Sequence, residues 1–173
     1  MNTQLLTPRL WLRQFDASDF EAYAQMLGDP DTMRMIGNGN ALTPEEAWKN
    51  LAQLIGHWNL RGYGLYAVEH LVTGRLIGRV GLYQPLGWPG LEIGWLIERT
   101  HRRQGYASEA ARAVVQEAAF CFPETKLISL IHPQNIASMG VATSLGAHFE
   151  RIVQVGAVKA HLYRLPIQKT AEG

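Results

Sequence analysis

The chain has 173 residues, the size of a single domain, and 47% of them are hydrophobic, as in an ordinary globular protein. Because 16 basic residues nearly balance 15 acidic ones, we expect neither nucleic acid nor an anionic membrane as a partner. The single cysteine, Cys121, excludes a disulfide framework and argues against a cysteine-rich metal site.

No apolar run approaches the ~20 residues of a membrane span. The amino terminus also lacks the apolar core of a signal peptide. We therefore expect one cytoplasmic domain over residues 1–173, with no membrane contact.

One strand and two helices are predicted in the first third of the chain. Apolar and polar residues alternate over Arg9–Phe15, which indicates a half-buried strand. Apolar residues then recur at helical spacing, with Asp16 or Ser18 as the candidate N-cap. Residues 28–40 are rich in glycine, proline and asparagine, which is typical of a loop. The motif TPEEAW predicts the next helix start, with Thr43 as the N-cap of a capping box.

The rest of the chain predicts a sheet interrupted by two helices. Three closely spaced strand patterns favour an antiparallel meander. A long helix, a short strand, a short helix and two final strands then follow. The predicted strands are 64–70, 75–85, 91–97, 126–132, 148–155 and 159–167, and the two helices begin near Tyr106 and Ile136. This order indicates an α+β fold, a mixed sheet flanked by helices, and not a doubly wound parallel sheet.

The stretch RRQGYASEAARAVV joins a basic loop to an alanine-rich helical pattern. Backbone N–H groups at a helix start can hold a diphosphate, which the helix dipole also favours. Small residues at Gly105 and Ala107 would allow the close approach that this needs. The alternative is a helix entrance without any ligand. A nucleotide-binding redox domain is disfavoured, because the three glycines of its fingerprint are absent.

Four motifs resemble the GNAT superfamily of acyl-CoA-dependent N-acetyltransferases. RRQGYASEAA is similar to its Arg/Gln-x-x-Gly-x-Gly/Ala element, with Arg102, Gly105 and Ala107 at the defining positions. TPRLWLR, LEIGWLI and HPQNIASMGVATSLGAHFE resemble further elements of its ribosomal-protein N-terminal acetyltransferase branch. The resemblance covers the expected core, residues 7–167. It implies a mostly antiparallel mixed sheet of about seven strands, splayed between the fourth and fifth.

The resemblance also implies how acetyl-CoA is bound, as a co-substrate and without a metal. The backbone of Trp95, Leu96 and Ile97 would hydrogen-bond the pantetheine arm. Asn135 and Ser138 would lie near the thiol, although Asn135 is equally suited to be a helix N-cap. The pyrophosphate would lie on the element formed by Arg102, Arg103, Gln104, Gly105, Tyr106, Ala107 and Ser108.

Glu92 is the first candidate for the general base. Strand alternation places it on the face of Gly94 and Leu96, where partial burial would raise its pKa. The alternative is a structural ion pair with Arg79. His132 is a second candidate for the base.

Many relatives have a tyrosine as thiol acid on the last helix, but Val141 or Ala142 stands there in this chain. We therefore consider Ser138 as the proton donor, with a helix-cap or solvent-facing serine as the alternative. His101, beside the basic loop, is expected to cap the helix or contact phosphate.

The resulting hypothesis is an acyltransferase that moves an acetyl group from acetyl-CoA to a primary amine within a ternary complex. The branch suggests a peptide or protein N-terminal α-amine. We expect the acceptor over the early helices and the loop Met33–Asn40, where loops carry specificity. The candidate lining residues are Met33, Met35, Trp48, Trp58 and Tyr83. The alternative is a non-catalytic acyl-CoA-binding or sensing module. Histidines without ligand spacing predict no metal. The terminal strands are candidates for a homodimer contact.

Overall fold

The computed structural model describes residues 1–166 and contains one mixed sheet of eight strands. Helices pack on both of its faces. The elements are β1 (Gln4–Leu6), β2 (Leu10–Arg13), α1 (Phe20–Leu27), α2 (Pro30–Met33), α3 (Pro44–Arg61), β3 (Leu65–His70), β4 (Arg75–Tyr83), β5 (Glu92–Ile97), α4 (Tyr106–Cys121), β6 (Leu127–Ile131), α5 (Ile136–Ser144), β7 (His148–Val155) and β8 (Val158–Leu165). None of the helices in this part of the chain is long and apolar enough to cross a membrane.

The predicted α+β class is confirmed, and the strand count is corrected from about seven to eight. The additional strand is β1, which pairs with β2 in the register Leu5↔Leu12. Three residues are too few to show an alternating pattern, so the sequence could not reveal this strand. The sheet core therefore begins at Gln4 instead of residue 7, and the expected end at Ile167 lies outside the described residues.

The strands follow the order β1-β2-β3-β4-β5-β6-β8-β7, and every neighbouring pair is antiparallel except β5 and β6. Those two parallel strands share a single register pair, Glu92↔Ile128, close to where each strand begins. The Ile128 N–H donates to the Leu91 carbonyl at 2.9 Å, and beyond this point the strands part. The predicted splay is confirmed, and it lies between β5 and β6.

Two apolar cores lie on opposite faces of the sheet. Helix α4 covers one face with Ala110, Ala111 and Ala118, each fully buried. Because these side chains are small, the helix axis can lie close to the sheet, which fixes where its amino terminus points. Helices α1 and α3 cover the other face, where Leu65 and Leu96 are the sheet's contributions to the same core.

The helix caps explain where the helices in the first third of the chain begin. Thr43 accepts from the Glu46 N–H and Glu46 reaches back to the Thr43 N–H, which confirms the predicted capping box. Asp16 is the cap at the first helical segment, accepting from the Ser18 N–H. The predicted loop 28–40 contains the short helix α2, because Asp29 caps the turn that Pro30 begins.

Candidate active site

A cavity of about 560 Å³ lies at the splay and is lined by residues from both sides of the sheet. This size is typical of small-molecule sites. Its walls come from β4 and β5, from the end of β6 with the start of α5, and from the β7–β8 turn. Lining residues include Met35, Asn50, Arg79, Tyr83, Trp88, Glu92, Gly94, Trp95, Leu96, His132, Asn135, Ser138, Val155 and Val158.

The backbone N–H and C=O groups of successive β5 residues point alternately toward β4 and toward the opening between β5 and β6. The carbonyls of Leu91 and Ile93 accept from the Ile128 N–H and the Ser129 hydroxyl at 2.9 and 2.8 Å, so both face β6. A two-residue alternation therefore turns the N–H and C=O of Trp95 into the opening. Leu96 lies opposite Arg79 in the β4–β5 ladder, and the Ile97 carbonyl accepts from Arg102 Nε at 2.9 Å. Three residues were predicted to contact pantetheine through their backbone. The backbone of Leu96 faces β4, and the carbonyl of Ile97 is already bonded to Arg102. The N–H and C=O of Trp95 both face the opening between β5 and β6.

Glu92 lies at the closed end of the splay, partly buried in the cavity wall. Its Oε2 accepts from the Trp88 indole N–H at 2.7 Å, and its Oε1 accepts from the Leu130 N–H at 3.3 Å. Burial raises the pKa of Glu92 to about 7, against the opposing effects of these two hydrogen bonds and of the Arg79 charge. A carboxylate with this pKa is protonated and ionised in similar amounts near neutral pH, as a general base requires.

Arg79 does not form the ion pair with Glu92 that the sequence offered as the alternative. Its Nη1 donates to Asn50 Oδ1 at 2.9 Å and to the Tyr23 hydroxyl. Tyr23 is fully buried and itself donates to Asn50 Oδ1 at 2.7 Å. Arg79 is therefore anchored at one end by α1 and α3, on the same cavity wall as Glu92.

Asn135 and Ser138 meet at the start of α5. Asn135 Oδ1 accepts from the Ser138 N–H at 3.1 Å, so Asn135 is the N-cap of this helix. The Ser138 hydroxyl accepts from the Trp95 indole N–H at 3.3 Å, across the opening. Its own O–H is left to point toward an acceptor in the cavity.

The basic loop between β5 and α4 has the conformation of an anion cradle. Arg103 and Gly105 have positive φ, 63° and 84°, so the chain turns sharply before α4 begins. Within residues 1–166, no protein group accepts from the backbone N–H groups of residues 103–108, and Arg103, Gln104 and Gly105 are exposed. A row of unpaired N–H groups at a helix start favours an anion.

The first motif of the chain positions this loop. Glu109, in the first turn of α4, accepts from the Thr7 hydroxyl at 2.6 Å and pairs with Arg9 Nε at 2.7 Å. Arg9 also donates to the Gln104 carbonyl at 3.0 Å and lies over the Tyr106 ring. The Arg102 side chain donates to the carbonyls of Ile97, Asp31 and Thr32, and its contact with acetyl-CoA stays a prediction. Arg102 therefore ties the loop to β5 and α2.

Other predicted residues divide between the cavity and the core. Met35, Tyr83 and His132 line the cavity, whereas Met33 and Trp58 are buried in the cores and Trp48 is 60% exposed. His101 pairs with Glu98 at 2.5 Å.

The contributors to the cavity that sequence reasoning missed include Trp88, Asn50 and the β7–β8 turn. Trp88 lies in the motif LGWPG, which predicts a turn. The motif does not indicate that the Trp88 indole hydrogen-bonds Glu92, four residues later. Asn50 and the β7–β8 turn reach the cavity through the fold, and no local pattern marks them.

The Acetyltransferase (GNAT) domain family matches residues 9–148. The uncharacterised protein YkkB of Bacillus subtilis is 32% identical over 160 residues, which cover 88% of this chain and 89% of YkkB. The chain therefore belongs to the GNAT acetyltransferase family, as its motifs predict. This membership favours an enzyme over the non-catalytic module.

Solved structures agree with this assignment. A crystal structure of an acetyltransferase from Agrobacterium tumefaciens has a TM-score of 0.84 at 29% identity and covers 95% of this chain and 94% of that one. RimL, a ribosomal L7/L12 α-N-protein acetyltransferase in complex with coenzyme A, has a TM-score of 0.77 at 17% identity, covering 95% and 98%. The likeness to RimL is one of fold.

Proposed function

We propose that the protein transfers an acetyl group from acetyl-CoA to a primary amine by direct attack in a ternary complex. Two observations support this proposal: Trp95 and the Glu92 carboxylate share one cavity, and the unpaired amides of residues 103–108 lie in the loop that follows β5. β5 runs from Glu92, where it pairs with β6, to Ile97, and the loop that contains these amides follows.

Acetyl-CoA fits the opening. The N–H groups of residues 103–108 would bind the pyrophosphate, where the α4 dipole adds to the attraction. The groups of Trp95 that face the gap would pair with the pantetheine amides as a strand does. Asn135 and Ser138 would adjoin the thiol end, since both line the cavity beside Trp95. Bound there, acetyl-CoA supplies the activated carbonyl.

Glu92 is the base in this proposal. An amine is protonated near neutral pH and must lose a proton before it can attack a carbonyl. Glu92 lies on the face that α1 and α3 cover, opposite the face of α4, so acceptor and acetyl-CoA would enter from different faces. Its carboxylate would take the proton directly or through one water.

Two further groups would assist the reaction. A backbone N–H of the splayed strand would stabilise the negative charge that develops on the carbonyl oxygen. The Ser138 hydroxyl would hydrogen-bond the departing thiolate, whose pKa of about 8.5 makes full protonation unnecessary. Peptide or protein N-terminal α-amines are the proposed acceptors, supported by the branch that the motifs resemble and by the fold shared with RimL.

Thiol release from acetyl-CoA, measured against a panel of amines and peptide N-termini, tests this function. We expect acceptor-dependent release and an acetylated product that mass spectrometry identifies. Binding of acetyl-CoA without turnover of any amine would contradict it.

A further inference from the structure

Two opposite charges line the same cavity face. Arg79 and Tyr83 on β4 lie opposite Leu96 and Glu92 on β5, and all four point to the α1–α3 side of the sheet. Glu92 and Leu96 are four residues apart, so the Cα positions of Glu92 and Arg79 are roughly 13 Å apart along the strands. Arg79 has the smallest of the four influences on the pKa of Glu92, which agrees with this separation.

The floor between these two charges is open. Gly81 and Gly94 lie opposite each other, midway between the Arg79 and Glu92 levels. A Cβ at Gly94 would have only Leu65 Cδ2 and Glu92 Oε1 nearby, at 3.9 and 4.0 Å, so space remains above it. A Cβ at Gly81 would lie 2.2 Å from the Gly64 carbonyl, which explains why no side chain fills the floor from β4.

Arg79 presents an unused edge to this space. Only Nη1 has protein partners within residues 1–166, Tyr23 and Asn50, which hold the guanidinium in place. No buried side-chain nitrogen or oxygen lacks a partner in this part of the chain, so Nε and Nη2 remain accessible from the cavity. Nε and Nη2 form one edge of the planar guanidinium, the geometry that a carboxylate matches with two parallel hydrogen bonds.

We propose that the acceptor amine carries a carboxylate, which the Nε–Nη2 edge of Arg79 binds while the amine faces Glu92. This inference rests on the proposed acetyl transfer and names its substrate class. Amine and carboxylate must be separated by a spacer, because the Cα positions of Arg79 and Glu92 are roughly 13 Å apart along the strands. A short peptide satisfies this requirement, with its carboxylate at the C-terminus or in an acidic side chain one or two residues from the amine. A single α-amino acid does not.

Matched acceptor pairs test the inference on the unmodified enzyme. We would measure kcat/KM for Gly-Gly and Gly-Gly-Gly against their C-terminal amides, and for the amide of Gly-Glu against that of Gly-Gln. The first two pairs report a terminal carboxylate and the third a side-chain carboxylate. O-phosphoethanolamine against ethanolamine reports whether a phosphate serves instead. We expect at least one carboxylate pair to favour the anion about tenfold or more, the scale of a charge-assisted hydrogen bond.

Variants connect this preference to Arg79. Arg79→Gln should reduce the preference to near unity, and Arg79→Lys, which keeps the charge without the fork, should reduce it in part. Arg75→Gln, on the same strand but outside this cavity, should leave the preference unchanged. Melting temperatures establish that each variant is folded. Should Arg79→Gln not fold, the comparison of acceptors on the unmodified enzyme still decides the proposal.

Several outcomes would overturn the inference. Turnover that differs less than about fivefold within every carboxylate pair would overturn it and leave the acetyl transfer intact. A preference that persists in folded Arg79→Gln would do the same, as would a preference for phosphate alone. If no amine is acetylated, the proposed function fails and this inference fails with it.

Discussion

Glu92→Gln keeps the shape of the side chain and removes its charge. In the folded protein, burial raises the pKa of Glu92 from 4.5 to about 7. This rise corresponds to a preference for the protonated form of about 3 kcal/mol at most in the folded state. The substitution therefore tests both the stability and the activity that the structure assigns to this position.

The direction of the stability change depends on the pH at which the folded and the unfolded state each release the proton of Glu92. Below pH 4.5 the carboxyl is protonated in both states, and its stabilising contribution is fully present. As the pH rises to about 7, the unfolded state ionises first, so this contribution to the free energy of unfolding is lost. Glu92→Gln does not titrate. Its stability relative to the unmodified protein should therefore grow by up to about 3 kcal/mol between these pH values and then stay constant.

Two assays check this prediction. Urea unfolding from pH 4.5 to 8 measures the stability difference, with the exposed Glu21→Gln as the control that should parallel the unmodified protein. Initial rates over the same range should rise through pH about 7 in the unmodified enzyme, as the base ionises. Glu92→Gln should lose this limb and about 100-fold or more in kcat, while acetyl-CoA affinity is retained. Parallel stability curves, or an unchanged rate profile, would refute the reasoning.

Three further substitutions test the loop at Gly105, the pKa of Glu92, and the contacts of Glu109 that support the loop. Gly105→Trp should abolish acetyl-CoA binding in calorimetry, because a bulky side chain enters the loop at a φ of 84°, while the melting temperature shows a folded protein; unchanged affinity would count against the cradle. Trp88→Phe removes a hydrogen bond that lowers the pKa of Glu92, so the midpoint of the rate profile should move to higher pH, and a shift to lower pH would contradict the assignment. Glu109→Gln weakens the contacts to Thr7 and Arg9, so the free energy of unfolding in urea should fall by about 1–3 kcal/mol at neutral pH. A fall below ~0.5 kcal/mol would mean that these contacts do not stabilise the fold.

The sequence predicted the elements whose signals are local. Each of three such elements depends on a few neighbouring residues and lies where it was expected. They are the capping box at Thr43, the helix with a face of small residues after Gly105, and the asparagine cap before α5. The face of β5 that carries Glu92 followed from strand alternation in the same way. Local patterns therefore sufficed for the order of the strands along the chain, whereas the placement of the opening came from the family resemblance.

What the sequence could not predict depends on contacts distant along the chain. Arg79 was offered as an ion-pair partner of Glu92, yet Tyr23 and Asn50 hold its side chain. The link from Thr7 and Arg9 to Glu109 spans about a hundred residues and explains a motif that the sequence could only match to a family. Such partners are set by how helices and strands pack, which no local pattern specifies.

A crystal structure of the complex with acetyl-CoA tests the central claim most directly. We expect pyrophosphate oxygens within hydrogen-bonding distance, ~3 Å, of the N–H groups of residues 103–108, and a thioester in the gap between Trp95 and Ser138. Electron density for the cofactor at any other surface, with these amides left unengaged, would contradict it.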